Sequence, residues 1–408
     1  MFSLNWKKIL YLNKIFFPDS FLVVIEVLFF KEYLNLNFLQ FTTITSLTVI
    51  LSMIFEIPSG LISDKFGRKT MLILGNIVDI LGIVILIFSP FIPTEKRFSL
   101  ILIIELIRVF GRALASGNFE ILIYQLAFSS NNNDVEFKTI LTKSFTIGSI
   151  LAAIAGFTST LLYNLNPIIP ITVDLFFKII KFFTFWSLPN FLNKSENNNN
   201  NNLLTKNKTT NLEIINAIFI IIIFSLIFSV SRATFSLYQP IMEELNLPLS
   251  FYGILVFLVN VILFFINSIK LKEISTLKKE KIIFIVCIIL LLQIPIIFIK
   301  KIKISLIKLF CIFIFFSLMQ IIRLVSEGLS SYFINECIKN IENKTLFFSI
   351  YHTMISFVLV LSFQFLGIVE SFNKNFTLTY ILYCSLILIF ILLFYSIGRY
   401  FSNAKKKI

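Results

Sequence analysis

The chain has 408 residues, of which 57% are hydrophobic and only 14% are charged, and its mean hydropathy is +0.91. A soluble domain carries about 25% charged residues, so this composition excludes an ordinary water-soluble protein and indicates a chain surrounded by lipid. The net charge of +14 does not indicate a nucleic-acid partner, because the lysines and arginines lie mainly between apolar segments, as they do in membrane proteins.

Twelve apolar segments are long enough to cross a bilayer as helices, which takes about 20 residues. We number them spans 1 to 12. Six lie in the first half, at 12–33, 38–61, 70–91, 98–125, 138–163 and 165–188, and six in the second, at 213–240, 249–272, 281–300, 304–333, 344–370 and 376–401. They predict an all-α membrane protein with twelve transmembrane helices, built as two six-helix pseudo-repeat bundles.

A polar stretch with six consecutive asparagines, Asn197–Asn202, separates the two halves. This composition is typical of a disordered linker, and a binding role is the alternative. We therefore predict a first six-helix bundle at 1–189, an Asn-rich cytoplasmic linker at 190–211 and a second six-helix bundle at 212–408.

The basic residues between the spans predict the orientation. An inside N terminus puts most of them on the cytoplasmic side, including Lys65, Arg68 and Lys69 after span 2, whereas a smaller group at 300–303 falls outside. By the positive-inside rule, we expect both termini to be cytoplasmic in a cell membrane, either inner or plasma.

The loop between spans 2 and 3 carries a spaced motif: Gly60, Asp64, Gly67, Arg68 and Lys69. Gly67 permits a tight reversal, and Gly60 lets a neighbouring helix approach closely. Asp64 can pair with Arg68 or lie at the positive N terminus of another helix. The motif resembles the signature loop of the major facilitator superfamily, in which it latches the two halves in the outward-open state. A basic loop that only sets topology is the alternative, but it does not account for Asp64 and both glycines.

The resemblance extends beyond this loop. Phe55–Pro58 is similar to the span 2 lead-in of bacterial drug and tetracycline efflux members. Ser116–Gln125 is similar to their block at the end of span 4, with Glu120 and Tyr124 at matching positions, and Tyr238–Pro240 is similar to the end of their span 7. Span 5 departs from the drug/proton antiporters, because it lacks their Gly-Pro motif.

Polar and charged side chains recur at helical spacing on four spans. These are Asp19 and Glu26 on span 1; Glu105, Arg108, Arg112, Ser116 and Glu120 on span 4; Ser225, Ser229, Arg232, Ser236 and Gln239 on span 7; and Gln320, Arg323, Glu327 and Ser331 on span 10. The resemblance implies that spans 1, 4, 7 and 10 line the substrate cavity. The candidate cavity residues are therefore Arg112, Ser116, Glu120, Tyr124, Arg232, Gln239, Arg323 and Glu327.

Structural ion pairing between helices is the alternative interpretation of these charges. For Glu105 and Arg108, structural pairing and cavity lining are equally open. Asp79 in span 3 and an Asp174–Lys178 pair in span 6 are interpreted as structural. Glu26 is the candidate for proton coupling, because a carboxyl group in a low-dielectric cavity can take up and release a proton near neutral pH. A fixed pair with an arginine is an equally open interpretation of Glu26.

The resemblance implies a secondary transporter that works by alternating access. The sequence has no nucleotide-binding motif, so we expect an ion gradient to drive it, and we expect proton-coupled export of a drug-like or metabolic compound. Nutrient uptake is the alternative, and a non-transporting membrane sensor is a remote one. The arginines of spans 4, 7 and 10 suit an anionic substrate. We expect no enzymatic activity, cofactor or metal site, and a monomer in the lipid bilayer with a small-molecule substrate and H+ as partners.

Overall fold

The computed structural model describes residues 20–115, 118, 134–188, 211–269, 279–324 and 344–405. Within these ranges the chain forms thirteen α-helices. They are α1 (Ser20–Leu28), α2 (Phe38–Phe66), α3 (Arg68–Phe88), α4 (Thr94–Ala115), α5 (Asp134–Leu165), α6 (Ile169–Ser187), α7 (Asn211–Phe235), α8 (Tyr238–Glu244), α9 (Leu249–Ile269), α10 (Lys279–Leu291), α11 (Ser305–Leu324), α12 (Lys344–Asn373) and α13 (Phe376–Lys405).

Each of the twelve predicted spans overlaps at least one of these helices. Seven helical stretches of the described chain are long and apolar enough to cross a membrane, and two shorter apolar stretches lie in α5 and α9, at Ile150–Leu165 and Leu249–Ile262. The predicted all-α fold with twelve membrane helices is confirmed, with span 7 contributing both α7 and α8.

Prolines explain why two spans are interrupted. A proline lacks the amide hydrogen of a helix, and its ring clashes with the carbonyl group four residues earlier. Pro240 therefore disfavours a continuous helix through residue 236, where α7 gives way to a turn before α8. Pro295 acts in the same way on α10, which ends at Leu291 and is followed by a 3-10 helix at Ile294–Lys301.

Local polar contacts fix the ends of α2. The Asn37 side chain accepts the Gln40 N–H at 2.7 Å, and the Gln40 side chain accepts the Asn37 N–H at 2.9 Å. This reciprocal pair satisfies two amide groups that the first helical turn would leave open. At the other end Gly67 has a φ of +88°, a conformation that favours glycine, and the chain reverses there into α3.

The chain packs as two compact units. Unit 1 comprises Met1–Lys194 and Pro248–Ile269, and unit 2 comprises Ser195–Leu247 and Lys270–Ile408. Unit 1 thus includes α9, a helix of the second sequence half, which packs closely on α5. A Cβ atom on Gly253 would lie 2.9 Å from the Phe157 carbonyl oxygen and 3.2 Å from that of Gly156. The division of the chain at 190–211 stays a prediction.

Candidate functional site

The charged stripe of α4 is divided between the interior of unit 1 and a more exposed position. Glu105 and Arg108 each expose only 7% of their side chains, and Arg108 Nη1 donates to Glu105 Oε1. Arg112 Nη2 donates to Glu105 Oε2 at 3.3 Å, but 43% of the Arg112 side chain is exposed. Glu105 therefore holds two arginines, one buried and one accessible.

Arg108 reaches the interior because α3 and α4 cross at glycines. A Cβ atom on Gly111 would lie 2.7 Å from the Gly75 carbonyl oxygen and 2.8 Å from the Asp79 amide nitrogen. A Cβ atom on Gly82 would collide with the methylene groups of Arg108. The close crossing lays Arg108 along α3, with Arg108 Nε 3.5 Å from Asp79 Oδ1.

Asp79 extends the ionic contacts to α6. Lys178 Nζ donates to Asp79 Oδ2, and Asn76 Nδ2 donates to the Lys178 carbonyl oxygen at 2.9 Å. All three side chains are buried. Asp174, one turn before Lys178, accepts the Leu22 N–H at 2.9 Å through Oδ2, so this carboxylate also serves the first turn of α1.

Glu26 on α1 is half-buried and interacts electrostatically with Glu105, Arg108 and Arg112. The role of Glu26 in proton coupling stays a prediction. We refer to the following six residues as the charge cluster: Glu26, Asp79, Glu105, Arg108, Arg112 and Lys178.

From the sequence, Asp79 and Lys178 are interpreted as structural, without a connection to α4. They lie 99 positions apart, and the helical period of one span carries no information about its neighbours. One signal was available. Isolated charges are costly inside a membrane, so an acid in span 3 and a base in span 6 predict a partnership.

The predicted cavity residues occupy different environments. Four lie outside the described residues: Ser116, Glu120, Tyr124 and Glu327. Of the other four, Arg112 and Arg232 are exposed, Arg323 is half-buried and Gln239 is buried. Gln239 Nε2 donates to the hydroxyl of Tyr238 at 3.0 Å. Their assignment to a substrate cavity stays a prediction.

The interior of unit 2 holds uncharged polar groups. The Tyr380 hydroxyl donates to Gln293 Oε1 at 2.8 Å, and the Tyr383 hydroxyl lies beside Ser229 and Ser362. Gln320 is buried on α11, and its Oε1 has no hydrogen-bond partner within the described residues. A buried acceptor of this kind can receive a hydrogen bond from water or a solute.

The basic residues of the predicted switch loop contact the ends of two other helices. Arg68 Nη1 donates to Asn118 Oδ1 at 3.4 Å, just after α4, and Lys69 Nζ donates to the Leu188 carbonyl oxygen at the end of α6. A cation is favoured at a helix C terminus, where carbonyl groups lack partners. The loop is therefore anchored within unit 1.

The glycine and acidic positions of the same motif are described less completely. Gly67 provides the reversal with its positive φ, and its N–H donates to the Ser63 carbonyl oxygen at 3.0 Å. Gly60 lies within α2, but its surroundings and the side chain of Asp64 lie outside what the structure describes. The predicted pairing of Asp64 with Arg68 therefore stays a prediction, as does the latch role of the loop.

Comparison with solved structures finds the same fold in membrane transporters. The nucleoside transporter NupG superposes with a TM-score of 0.71 at 13% identity, covering 96% of this chain and 99% of NupG. A D-xylose-proton symporter gives 0.67 at 11% identity, covering 94% and 96% of the two chains. A proton-dependent oligopeptide transporter gives 0.69 at 11% identity, covering 98% of each. Comparison with curated protein sequences finds no match.

The sequence itself matches a family model over residues 15–325, which is most of the chain. The description of that family is Major Facilitator Superfamily. The match confirms the predicted family, and with it a transporter rather than an enzyme. The apolar helices agree with an integral, multi-pass location in a membrane. The chain therefore belongs to the Major Facilitator Superfamily of membrane transporters.

Proposed function

We propose that the chain is a proton-coupled secondary transporter of a small, polar organic solute. In this proposal Arg112 binds the solute and Glu26 carries the proton. The observation that supports it most directly is an accessible arginine, Arg112, that contacts the buried carboxylate of Glu105 at 3.3 Å on the same helix. An arginine with a purely structural role is expected to be buried and ion-paired, as Arg108 is with Glu105 and Asp79.

Arg112 has the properties of a binding residue. Its guanidinium keeps its charge at all accessible pH values and can form two parallel hydrogen bonds with a carboxylate or phosphate. It has one contact of 3.3 Å with a carboxylate that Arg108 also uses. A solute can therefore replace Glu105 as a partner of Arg112 without leaving Glu105 unpaired.

In alternating access, one helix bundle moves as a rigid body against the other, so the helices within a bundle must be firmly connected. The contacts of Arg68 and Lys69 with the ends of α4 and α6 support such rigidity on one side of unit 1. We propose that this side is cytoplasmic, that both termini lie there, and that the transporter is a monomer in the cell membrane.

Two directions of transport are consistent with proton coupling. Export by antiport is favoured by the sequence resemblance to drug and tetracycline efflux members. Uptake by symport is supported by the fold likeness to a D-xylose-proton symporter. Gln320 adds an uncharged acceptor on α11 that a hydroxylated solute could use.

The test is transport by the purified protein in liposomes under an imposed proton gradient. Internal pH is followed while organic anions, nucleosides, sugars, peptides and lipophilic cations are added one at a time. We expect solute-dependent proton movement that Glu26→Gln abolishes and that Arg112→Gln and Arg323→Gln each reduce to background. Glu95→Gln, at the exposed start of α4, is the matched control and should behave as wild type.

Normal transport by Arg112→Gln and Arg323→Gln would remove the binding assignment. Solute movement without proton movement would remove the coupling assignment. In both cases the variants must first be shown to reach the membrane and to unfold at the wild-type temperature, so that loss of folding is not read as loss of transport.

A further inference from the structure

We propose that one edge of unit 2 binds an anionic phospholipid. Its phosphate lies between Lys301 and Lys303, and its acyl chains lie along the apolar side chains beside these lysines. The surface belongs to the 3-10 helix that follows α10 and to the short segment that leads into α11. It shares no residue with the proposed solute site, so the inference goes beyond the proposed function and does not depend on it.

The two lysines lie where two membrane-crossing stretches meet. The stretch Glu280–Lys301 is long and apolar enough to cross a bilayer, and so is the stretch Ser305–Arg323. Only residues 302–304 separate them. A chain that leaves the hydrocarbon and re-enters it within so few residues turns at the depth of the lipid headgroups. Lys301 and Lys303 are therefore within reach of lipid phosphates.

The 3-10 helix has one face in the protein interior and another directed outward. Ile296 and Ile299 are buried, as is Gln293 just before the helix, and a spacing of three matches the three residues per turn of such a helix. The positions between them include Ile297, which is exposed, and Phe298, whose side chain is 60% exposed. Apolar side chains on the outside of a membrane span contact acyl chains.

The lysines of this edge differ in their partners. Lys300 Nζ pairs with Glu244. Lys301 and Lys303 are exposed, and neither forms an ion pair within the described residues. The contact seen for Lys301 is with an aromatic ring, since its Nζ lies 5.5 Å from the centre of the Phe298 ring. Two positive charges therefore lie uncompensated next to an apolar surface.

The backbone brings these two charges to the same side. Ile302 has a φ of −76° and a ψ of 129°, so the chain is extended there. Side chains two positions apart in an extended chain lie on the same side, which sets Lys301 and Lys303 together and the half-buried Ile302 opposite. Each ammonium group has three donors, so the pair can hold one phosphate between them.

The apolar side chains favour a lipid over a free phosphate ion. Phe298 precedes the lysines, and Ile304 and Leu306 follow Lys303 as exposed residues. A phosphate ion would use the two ammonium groups alone, whereas a phospholipid also covers these side chains and the methylene groups of the lysines. A zwitterionic lipid carries its own cation beside the phosphate, so a lipid with a net negative charge fits best.

The test uses a fluorescent reporter on the surface itself. The chain has two tryptophans, Trp6 and Trp186. Replacing both with phenylalanine and adding Phe298→Trp leaves a single indole beside Lys301, where it keeps the contact between cation and ring. The full chain is reconstituted in mixtures of phosphatidylcholine and phosphatidylglycerol, one of which carries dibrominated acyl chains that quench tryptophan on contact.

We expect brominated phosphatidylglycerol to quench this indole more than brominated phosphatidylcholine at the same mole fraction. The difference should correspond to about 30-fold tighter binding, or about five-fold for each lysine. Lys301→Gln and Lys303→Gln, made in the reporter protein, should each remove about five-fold, and the two together should abolish the preference. Lys301→Arg with Lys303→Arg should keep it. Lys281→Gln, exposed at the other end of α10, is the matched control and should leave the quenching unchanged.

Equal quenching by the two lipids would overturn the inference, and so would a preference that survives in the double glutamine variant. Inorganic phosphate distinguishes the two sources of phosphate: its failure to displace brominated phosphatidylglycerol supports the lipid, whereas displacement at equal concentration overturns it. Each variant is checked by its unfolding temperature. If the glutamine variants unfold early, salt decides, because a preference for the anionic lipid that persists at about 1 M salt, where exposed charges are screened, also overturns the inference.

Discussion

The two units keep different chemistry in their interiors. Every buried charged side chain among the described residues lies in unit 1, namely Asp79, Glu105, Arg108, Asp174 and Lys178. The buried polar groups of unit 2 are hydroxyls and amides, such as Tyr380 with Gln293. The two units therefore differ in the charge that their interiors hold.

This difference matters because a membrane protein can bury charge only where partners surround it. In unit 1 the glycine crossing of α3 and α4 brings the partners together. In unit 2 the buried polar side chains among the described residues are uncharged. The proposed proton coupling is therefore associated with unit 1, and the following variants test the difference between the units.

The largest loss of stability is expected when one buried residue of the charge cluster loses its ionic partner. Asp79→Asn leaves Lys178 without its carboxylate and should lower the free energy of unfolding by about 3–5 kcal/mol. The measurement is thermal or denaturant unfolding in detergent. The double variant Asp79→Asn, Lys178→Met removes both charges and should recover much of the loss. A single variant within about 1 kcal/mol of wild type would mean that these charges are hydrated.

Glycine packing gives the next contrast between the units. Gly111→Ala puts a methyl group 2.7 Å from the Gly75 carbonyl oxygen, and because the backbone there cannot give way, about 1–3 kcal/mol should be lost. Gly398→Ala in unit 2 is the control, since its Cβ would lie 3.4 Å from Phe219 Cβ, an ordinary contact. Alanine is the better helix former, so unfolding should show Gly398→Ala to be neutral or stabilising.

The sequence predicts the helices of both units better than it predicts the contacts between them. Apolar length locates all twelve spans, and Asn37 and Gly67 mark the ends of α2 through their own backbone chemistry. Pro240 and Pro295 could also have been used to predict the breaks in spans 7 and 9, since the clash with the fourth preceding carbonyl is local.

Cross-helix partnerships depend on how two helices rotate and cross, which no single span encodes. The stripe of Glu105, Arg108 and Arg112 follows from helical period alone. The assignment of Lys178 to Asp79, rather than only to Asp174 on its own helix, needed the packing of α3 against α6. Gly75, Gly82 and Gly111 lie at the α3–α4 crossing. Glycines on two neighbouring spans are a signal in the sequence for such a close approach.

A neutral hydrogen bond in unit 2 should matter less than an ion pair in unit 1. Tyr380→Phe removes the 2.8 Å bond to Gln293 and should lower the free energy of unfolding by about 1 kcal/mol, the net contribution of such a bond. Tyr395→Phe on the same helix is the control, since no hydrogen bond to its hydroxyl is seen within the described chain. A loss for Tyr380→Phe as large as for Asp79→Asn would end the distinction between the units.

The smallest effect is expected for the ion pair at the surface of unit 2. Lys300 Nζ pairs with Glu244, and the two side chains are 35% and 16% exposed. Glu244 also accepts the Thr377 N–H at 2.8 Å, so it keeps a partner when the lysine is lost. Lys300→Gln should therefore cost about 0–1 kcal/mol.

Salt distinguishes this pair from the buried cluster. At about 1 M salt the screening length is about 3 Å, so an exposed pair is largely screened whereas a buried pair is not. Unfolding of Lys300→Gln and wild type should converge at high salt, while the loss from Asp79→Asn should remain. The same pair bears on the predicted orientation, because Glu244 neutralises one lysine of the 300–303 group, which this prediction puts outside. If Lys300→Gln proves as costly as Asp79→Asn at every salt concentration, buried charge is not confined to unit 1, and the division of chemistry between the units fails.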